Sequence, residues 1–141
     1  MTRSLLSKMF ILLLILPLMS CLSVHSGEEE KYYQLASALT KLSKAVEAEV
    51  VFENPSSQTT GEELLSQATA HDRSLLSPFS QYSLQAVRQG GHAVLLLCTS
   101  DGQQALLEDI GCSPVLDRHA WKIKSLQPCR PVIDVERVCA P

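Results

Sequence analysis

The chain lacks the short patterns that announce catalysis. It has no H-x-x-x-H or H-E-x-x-H pair, no G-x-S-x-G elbow and no glycine-rich phosphate loop. Its cysteines never form a close pair. Those after residue 90 stand 14, 17 and 10 residues apart, so the C-x₂₋₄-C half of a zinc site is missing. Basic excess is missing too: 12 Lys and Arg against 15 Asp and Glu give a net charge of −3. That balance disfavours nucleic acid as a partner. Aromatics make up 5% of the chain, with a single tryptophan. No apolar run reaches the ~20 residues that a spanning helix needs. No catalytic residue, no cofactor and no metal site is therefore expected, and the chain reads as non-enzymatic.

What is present concentrates first at the N-terminus. Arg3 and Lys8 precede the ten-residue apolar run Met9–Leu18, and Ser20 precedes Cys21. A positive segment, a short apolar segment and a small residue make up an export signal. Leu18-Met19-Ser20-Cys21 resembles the lipobox of bacterial lipoprotein precursors. The resemblance covers residues 1–21 only. It implies removal of residues 1–20, lipidation of Cys21 with acylation of the freed amine, and stable anchoring by several acyl chains. Leu22, in place of an aspartate, implies the outer membrane facing the periplasm in a Gram-negative cell. Plain secretion, with cleavage after Ser20 or Ser26, is the alternative. The processed chain has 121 residues and ten basic against fifteen acidic side chains, enough for one small domain. Residues 21–30 would be the lipidated cysteine and a short polar tether, and residues 31–141 the domain.

Setting Cys21 apart leaves Cys98, Cys112, Cys129 and Cys139. An even number in an exported chain implies two disulfides with three possible connectivities. A hairpin at Asp101-Gly102 places Cys98 opposite Ala105, far from Cys112. The pairing favoured on this register is Cys112–Cys129 with Cys98–Cys139, which would staple an irregular tail to the central strand.

The fold class expected is α+β: two N-terminal helices on a small antiparallel β-meander, with a disulfide-stapled C-terminal segment. Tyr32, Leu35, Leu39, Leu42 and Val46 form one helical stripe over residues 28–49. Val50-Val51-Phe52 is a short strand or the helix end turning inward, and Asn54-Pro55 stops it. Thr60 with Glu63 is a capping-box pattern opening a second helix over 61–76, with Leu64, Ala68, His71 and Leu75 on one face. Tyr82, Leu84 and Ala86 alternate as a half-buried strand. Gly90-Gly91 is a hairpin turn. His92–Thr99 is a continuous apolar run, expected to be the central strand with both faces covered. Gln104–Ile110 should return antiparallel. Short strands are expected at 121–124 and 132–138.

Among polar side chains, His119 with Asp117 or Asp109 would need a cleft to act on a substrate, and surface roles fit the four histidines better. Glu108, Asp109 and Trp121 are the candidate partner contacts, the carboxylates for a cation or basic partner and Trp121 as an aromatic anchor. The expected role is that of a membrane-anchored envelope lipoprotein serving as an accessory or protein-binding factor. A periplasmic inhibitor or small-ligand-binding module is the alternative, and a hydrolase comes third.

Overall fold

A computed structural model describes residues 26–113 and 127–139. The expected signal segment, Cys21, His25, Asp117, His119, Trp121 and the strand at 121–124 lie outside the described residues. The chain divides between Lys31 and Tyr32. Of the first unit, residues 26–31 are helical. The second unit, residues 32–141, is α+β: helices packed on a three-stranded antiparallel sheet. Among the described residues no helix is long and apolar enough to cross a membrane.

Helix α1 spans Ser26–Ala48 and passes into a π-helical turn at Glu49–Glu53. It therefore begins inside the expected tether. Its buried stripe is Leu35, Leu39, Leu42 and Val46, the periodic set in the sequence apart from Tyr32, which is half-buried. The stripe continues to Val50 rather than stopping at Glu49, because the π-helical turn carries Val50 inward. Val51 and Phe52 stay exposed, at 53% and 81%. Asn54, left-handed at φ 44°, ends the segment. Arg88 Nη1 donates to the carbonyls of Pro55 and Ser56 at 2.9 Å and holds the following loop against the sheet.

Helix α2, Gly61–Ala68, opens with the capping box that the sequence spells: Glu63 N–H donates to Thr60 Oγ1, and Thr60 N–H donates to Glu63 Oε2. It is shorter than the expected 61–76. Thr69 Oγ1 donates back to the Leu65 carbonyl at 2.7 Å. Asp72 then caps a separate 3₁₀ turn, Arg73–Phe79, through Ser74 N–H. Such side-chain bonds offer the backbone an alternative to continuing the helix. His71, expected on the apolar face, falls in the break and is exposed.

Strands β1 (Ser83–Gln89), β2 (His92–Cys98) and β3 (Ala105–Ile110) form the sheet in the order β1-β2-β3. Gly90 and Gly91 both have positive φ, as a type I′ turn requires, and Gln89 faces His92 across it. In the second hairpin Cys98 faces Ala105 as expected. Its turn is not the two-residue Asp101-Gly102 loop, however. Gly102 N–H donates to the Thr99 carbonyl, and Thr99 N–H donates to the Gln104 carbonyl, leaving four loop residues. A register shift beside Leu97 and Cys98 follows. Residues Ala93 to Cys98 are all fully buried. Ala93, Leu95 and Leu97 pack with α1 and α2, while Val94 packs with Ile110 and Val135 on the other face. Both faces of β2 are thus covered.

The tail corrects two expectations. Residues 132–138 are not a strand: Asp134 caps a short helix α3, Val135–Val138. The disulfides are Cys98–Cys129 and Cys112–Cys139, not Cys112–Cys129 with Cys98–Cys139. The reason lies in the path of the tail. Ala105 N–H donates to the Gln127 carbonyl and Cys129 N–H to the Gln103 carbonyl, which sets Cys129 at the hairpin end beside Cys98. Val132 N–H donates to Glu108 Oε2 midway along β3. Helix α3 then delivers Cys139 to the far end of β3, beside Cys112.

Gly111 closes β3 where α1 crosses it. A Cβ there would stand 2.3 Å from the Ser43 carbonyl oxygen and 2.3 Å from Glu47 Cβ. Gly111→Ala is expected to lower unfolding free energy by about 1–3 kcal/mol, the usual range for overpacking. Gly27→Ala, with nothing within 4 Å, should cause no loss. Urea denaturation of both variants checks this, and a Gly111→Ala chain as stable as the parent would show that the approach is not tight.

Candidate functional site

The polar groups of the interior gather where α1 crosses the sheet. Ser43 and Glu47 lie one helical turn apart, each next in sequence to a core residue, Leu42 or Val46. Ser43 is fully buried and Glu47 is 8% exposed. The helix therefore presents a short polar strip to the strand ends alongside its apolar stripe.

Asp109 meets the first of these groups. Ser43 Oγ lies 2.8 Å from Asp109 Oδ2 and 3.1 Å from the Thr40 carbonyl. Asp109 is 3% exposed, and burial pushes its carboxyl above the usual carboxylate range. Opposing this are hydrogen bonds that favour the ionised form, from Ser43 first and from the Ile110 N–H, together with the charge of Lys44. The Ser43 hydroxyl has one proton for two acceptors. That proton is shared between Asp109 Oδ2 and the Thr40 carbonyl.

Glu47 meets the second. Its Oε1 binds His92 Nδ1, and its Oε2 accepts from Ala93 N–H at 3.4 Å. The His92 side chain is 28% exposed and that of Glu47 11%. The Cys112–Cys139 disulfide lies beside this pair. The ligand atoms of His92, Cys112 and Cys139 all fall within 4.8 Å of one another.

Of the sequence candidates, the four domain cysteines come together in two pairs. Glu108 and Asp109 are drawn inside rather than offered to a cation or partner. Glu108 is 6% exposed and accepts from Val132 N–H. Their surface role is replaced by a structural one, because β3 is covered by the tail and by α1. Trp121 and Cys21 lie outside the described residues. Sequence reasoning missed Ser43, Glu47 and the placement of His92. The available signal was the i, i+4 polar pair flanking the leucine stripe, which does not name its partners.

A groove of ≈ 480 Å³ lies between the start of α2 and β1, lined by Gly61, Glu62, Leu65 and residues 84–87. Its lining offers one carboxylate, Glu62.

For Asp109 the folded-state affinity for the proton exceeds the ordinary one of 3.8. Its contribution is fully present below that value and is lost as pH rises through the raised one. The stability of the native chain relative to Asp109→Asn should therefore fall with rising pH across that interval and then level off. Denaturation midpoints measured at several pH values check the sign. A difference that stays constant, or grows with pH, would mean that Asp109 is held ionised. Comparisons with family models, with curated proteins and with solved structures find no match to this chain.

Proposed function

We propose that this chain is a lipid-anchored protein of the bacterial cell envelope whose small disulfide-bonded domain binds another envelope protein and catalyses no reaction. The observation that carries the reading is the partition of the cysteines. All four domain cysteines are consumed in Cys98–Cys129 and Cys112–Cys139, a pattern typical of oxidising compartments. That leaves Cys21 as the fifth, in the setting Leu18-Met19-Ser20-Cys21 behind Arg3, Lys8 and an apolar run. A thiol reserved at that position is what a diacylglyceryl transfer would use. By the same resemblance Leu22 supports the outer membrane.

The binding role rests on surface chemistry. Phe52 is 81% exposed and Val51 53%, adjacent on a π-helical turn whose end is fixed by left-handed Asn54. An exposed aromatic on a regular turn is an economical anchor for a protein partner. It takes the place of Glu108 and Asp109, while Trp121 remains the second candidate.

Mass spectrometry of the N-terminal peptide from the native protein tests the anchor. A peptide starting at Cys21 and carrying diacylglyceryl is expected. An unmodified peptide starting at Cys21 or Gly27 would overturn it. A photo-crosslinker at position 51 in intact cells should capture one defined envelope protein, with Phe52→Ser weakening that complex by about tenfold or more. Capture that is unchanged in Phe52→Ser would remove this turn from the interface.

A further inference from the structure

The end of the sheet where His92 meets Cys112–Cys139 holds chemistry that neither anchoring nor partner binding uses. We propose that reduction of the Cys112–Cys139 disulfide opens a zinc site, with the two thiolates and one His92 ring nitrogen as ligands and a fourth position left to water. Two thiolates and one imidazole are a donor set that zinc accepts while keeping an open position.

Geometry, orientation and access each support it. At Zn–S of about 2.3 Å and Zn–N of about 2.0 Å, tetrahedral ligand atoms stand roughly 3.5–3.8 Å apart. The three ligand atoms already lie within 4.8 Å of one another, and the Cys112 and Cys139 Cα atoms are 5.5 Å apart. Opening the site requires the two sulfurs to separate. Glu47 holds Nδ1 of His92, so Nε2 is the ring nitrogen left to donate to a metal. A carboxylate on the second imidazole nitrogen orients the ring, as it does around zinc-bound histidines. Glu47 is in turn tied to the sheet through Ala93 N–H. His92, Cys112 and Cys139 are all half-buried, so solvent reaches them. In the other disulfide, Cys98 is fully buried. Its partner Cys129 is half-buried, so a reductant finds two open sulfurs at Cys112–Cys139 against one there.

The reaction balances with a dithiol as reductant. Its thiolate attacks one sulfur, its second thiol closes its own disulfide, and two electrons leave Cys112 and Cys139 as thiols. Zinc then takes both sulfurs as thiolates, two protons pass to water, and His92 supplies a lone pair.

The test uses the full chain in detergent and a water-soluble phosphine, which reduces the disulfide and is itself oxidised to the phosphine oxide. Each cysteine is then alkylated with iodoacetamide and quantified by peptide mapping, with and without zinc. Limited phosphine should free Cys112 and Cys139 before Cys98 and Cys129. Zinc should slow alkylation of Cys112 and Cys139 by about tenfold or more and leave Cys98 and Cys129 unchanged. Glu47→Gln should weaken zinc affinity by about 10–100-fold, and His92→Ala should abolish the protection. Thermal unfolding of each oxidised variant reports whether it folds. Labelling unaffected by zinc overturns the proposal. So does protection of all four domain cysteines alike, protection that persists in His92→Ala, or a reduced chain that unfolds and that zinc does not protect. The anchor at Cys21 enters none of these readouts, so the two proposals fail separately.

Discussion

The close approach of α1 to the end of β3 is the contact on which the rest of the structure depends. Gly111 permits it, since any side chain there would meet the Ser43 carbonyl and Glu47. At that distance Ser43 reaches Asp109 and Glu47 reaches His92 and Ala93. The leucine stripe settles on the same face of the sheet, with Leu39, Leu42 and Val46 fully buried. Each such leucine is worth about 2–5 kcal/mol against truncation to alanine. The polar pairs add little net energy by comparison, but an unpaired buried carboxylate would be costly. They therefore act as a register: α1 can be displaced only by stranding Asp109 or Glu47.

The tail completes the other face. It crosses β3 from the hairpin end to the far end and is tied at three points, by Cys98–Cys129, by Val132 N–H on Glu108, and by Cys112–Cys139. The two loops closed, of 31 and 27 residues, contribute about 7 kcal/mol together in the chain-entropy model. For a domain of this size that is comparable with total stability. A small core and two staples are thus complementary, and the disulfides fit a protein that works where thiols are oxidised.

Several parts of this were legible in the sequence because they are local. The Thr60 and Glu63 capping box, the Gly90-Gly91 turn, the leucine stripe of α1 and the buried central strand each follow from residues within one or two turns of one another. The errors arose where two local signals competed. Val132–Val138 has strand-like composition, but Asp134 at its start captures Arg137 N–H and makes a helical turn. A second helix over 61–76 would run through Thr69 and Asp72, whose side chains satisfy backbone groups and end it. Asp101-Gly102 read as a two-residue loop, yet the bond from Gly102 N–H to Thr99 widens it to four residues.

By itself the sequence determined the fold class, the leucine stripe, the central strand, and the separation of Cys21 from an even set of domain cysteines. Composition and periodicity act over a few residues, and those features need nothing more. Only the tertiary structure decided which cysteines pair. Loop-closure entropy gives about 7 kcal/mol for the observed pairing and for Cys112–Cys129 with Cys98–Cys139 alike, so chain length cannot choose between them. Backbone hydrogen bonds around Gln103–Ala105 make the choice by fixing where Cys129 lies. Tertiary packing likewise brought Glu47 to His92 and Ser43 to Asp109, across 45 and 66 residues. Those partners are set by where α1 lands on the sheet, a position that no single segment of the chain encodes.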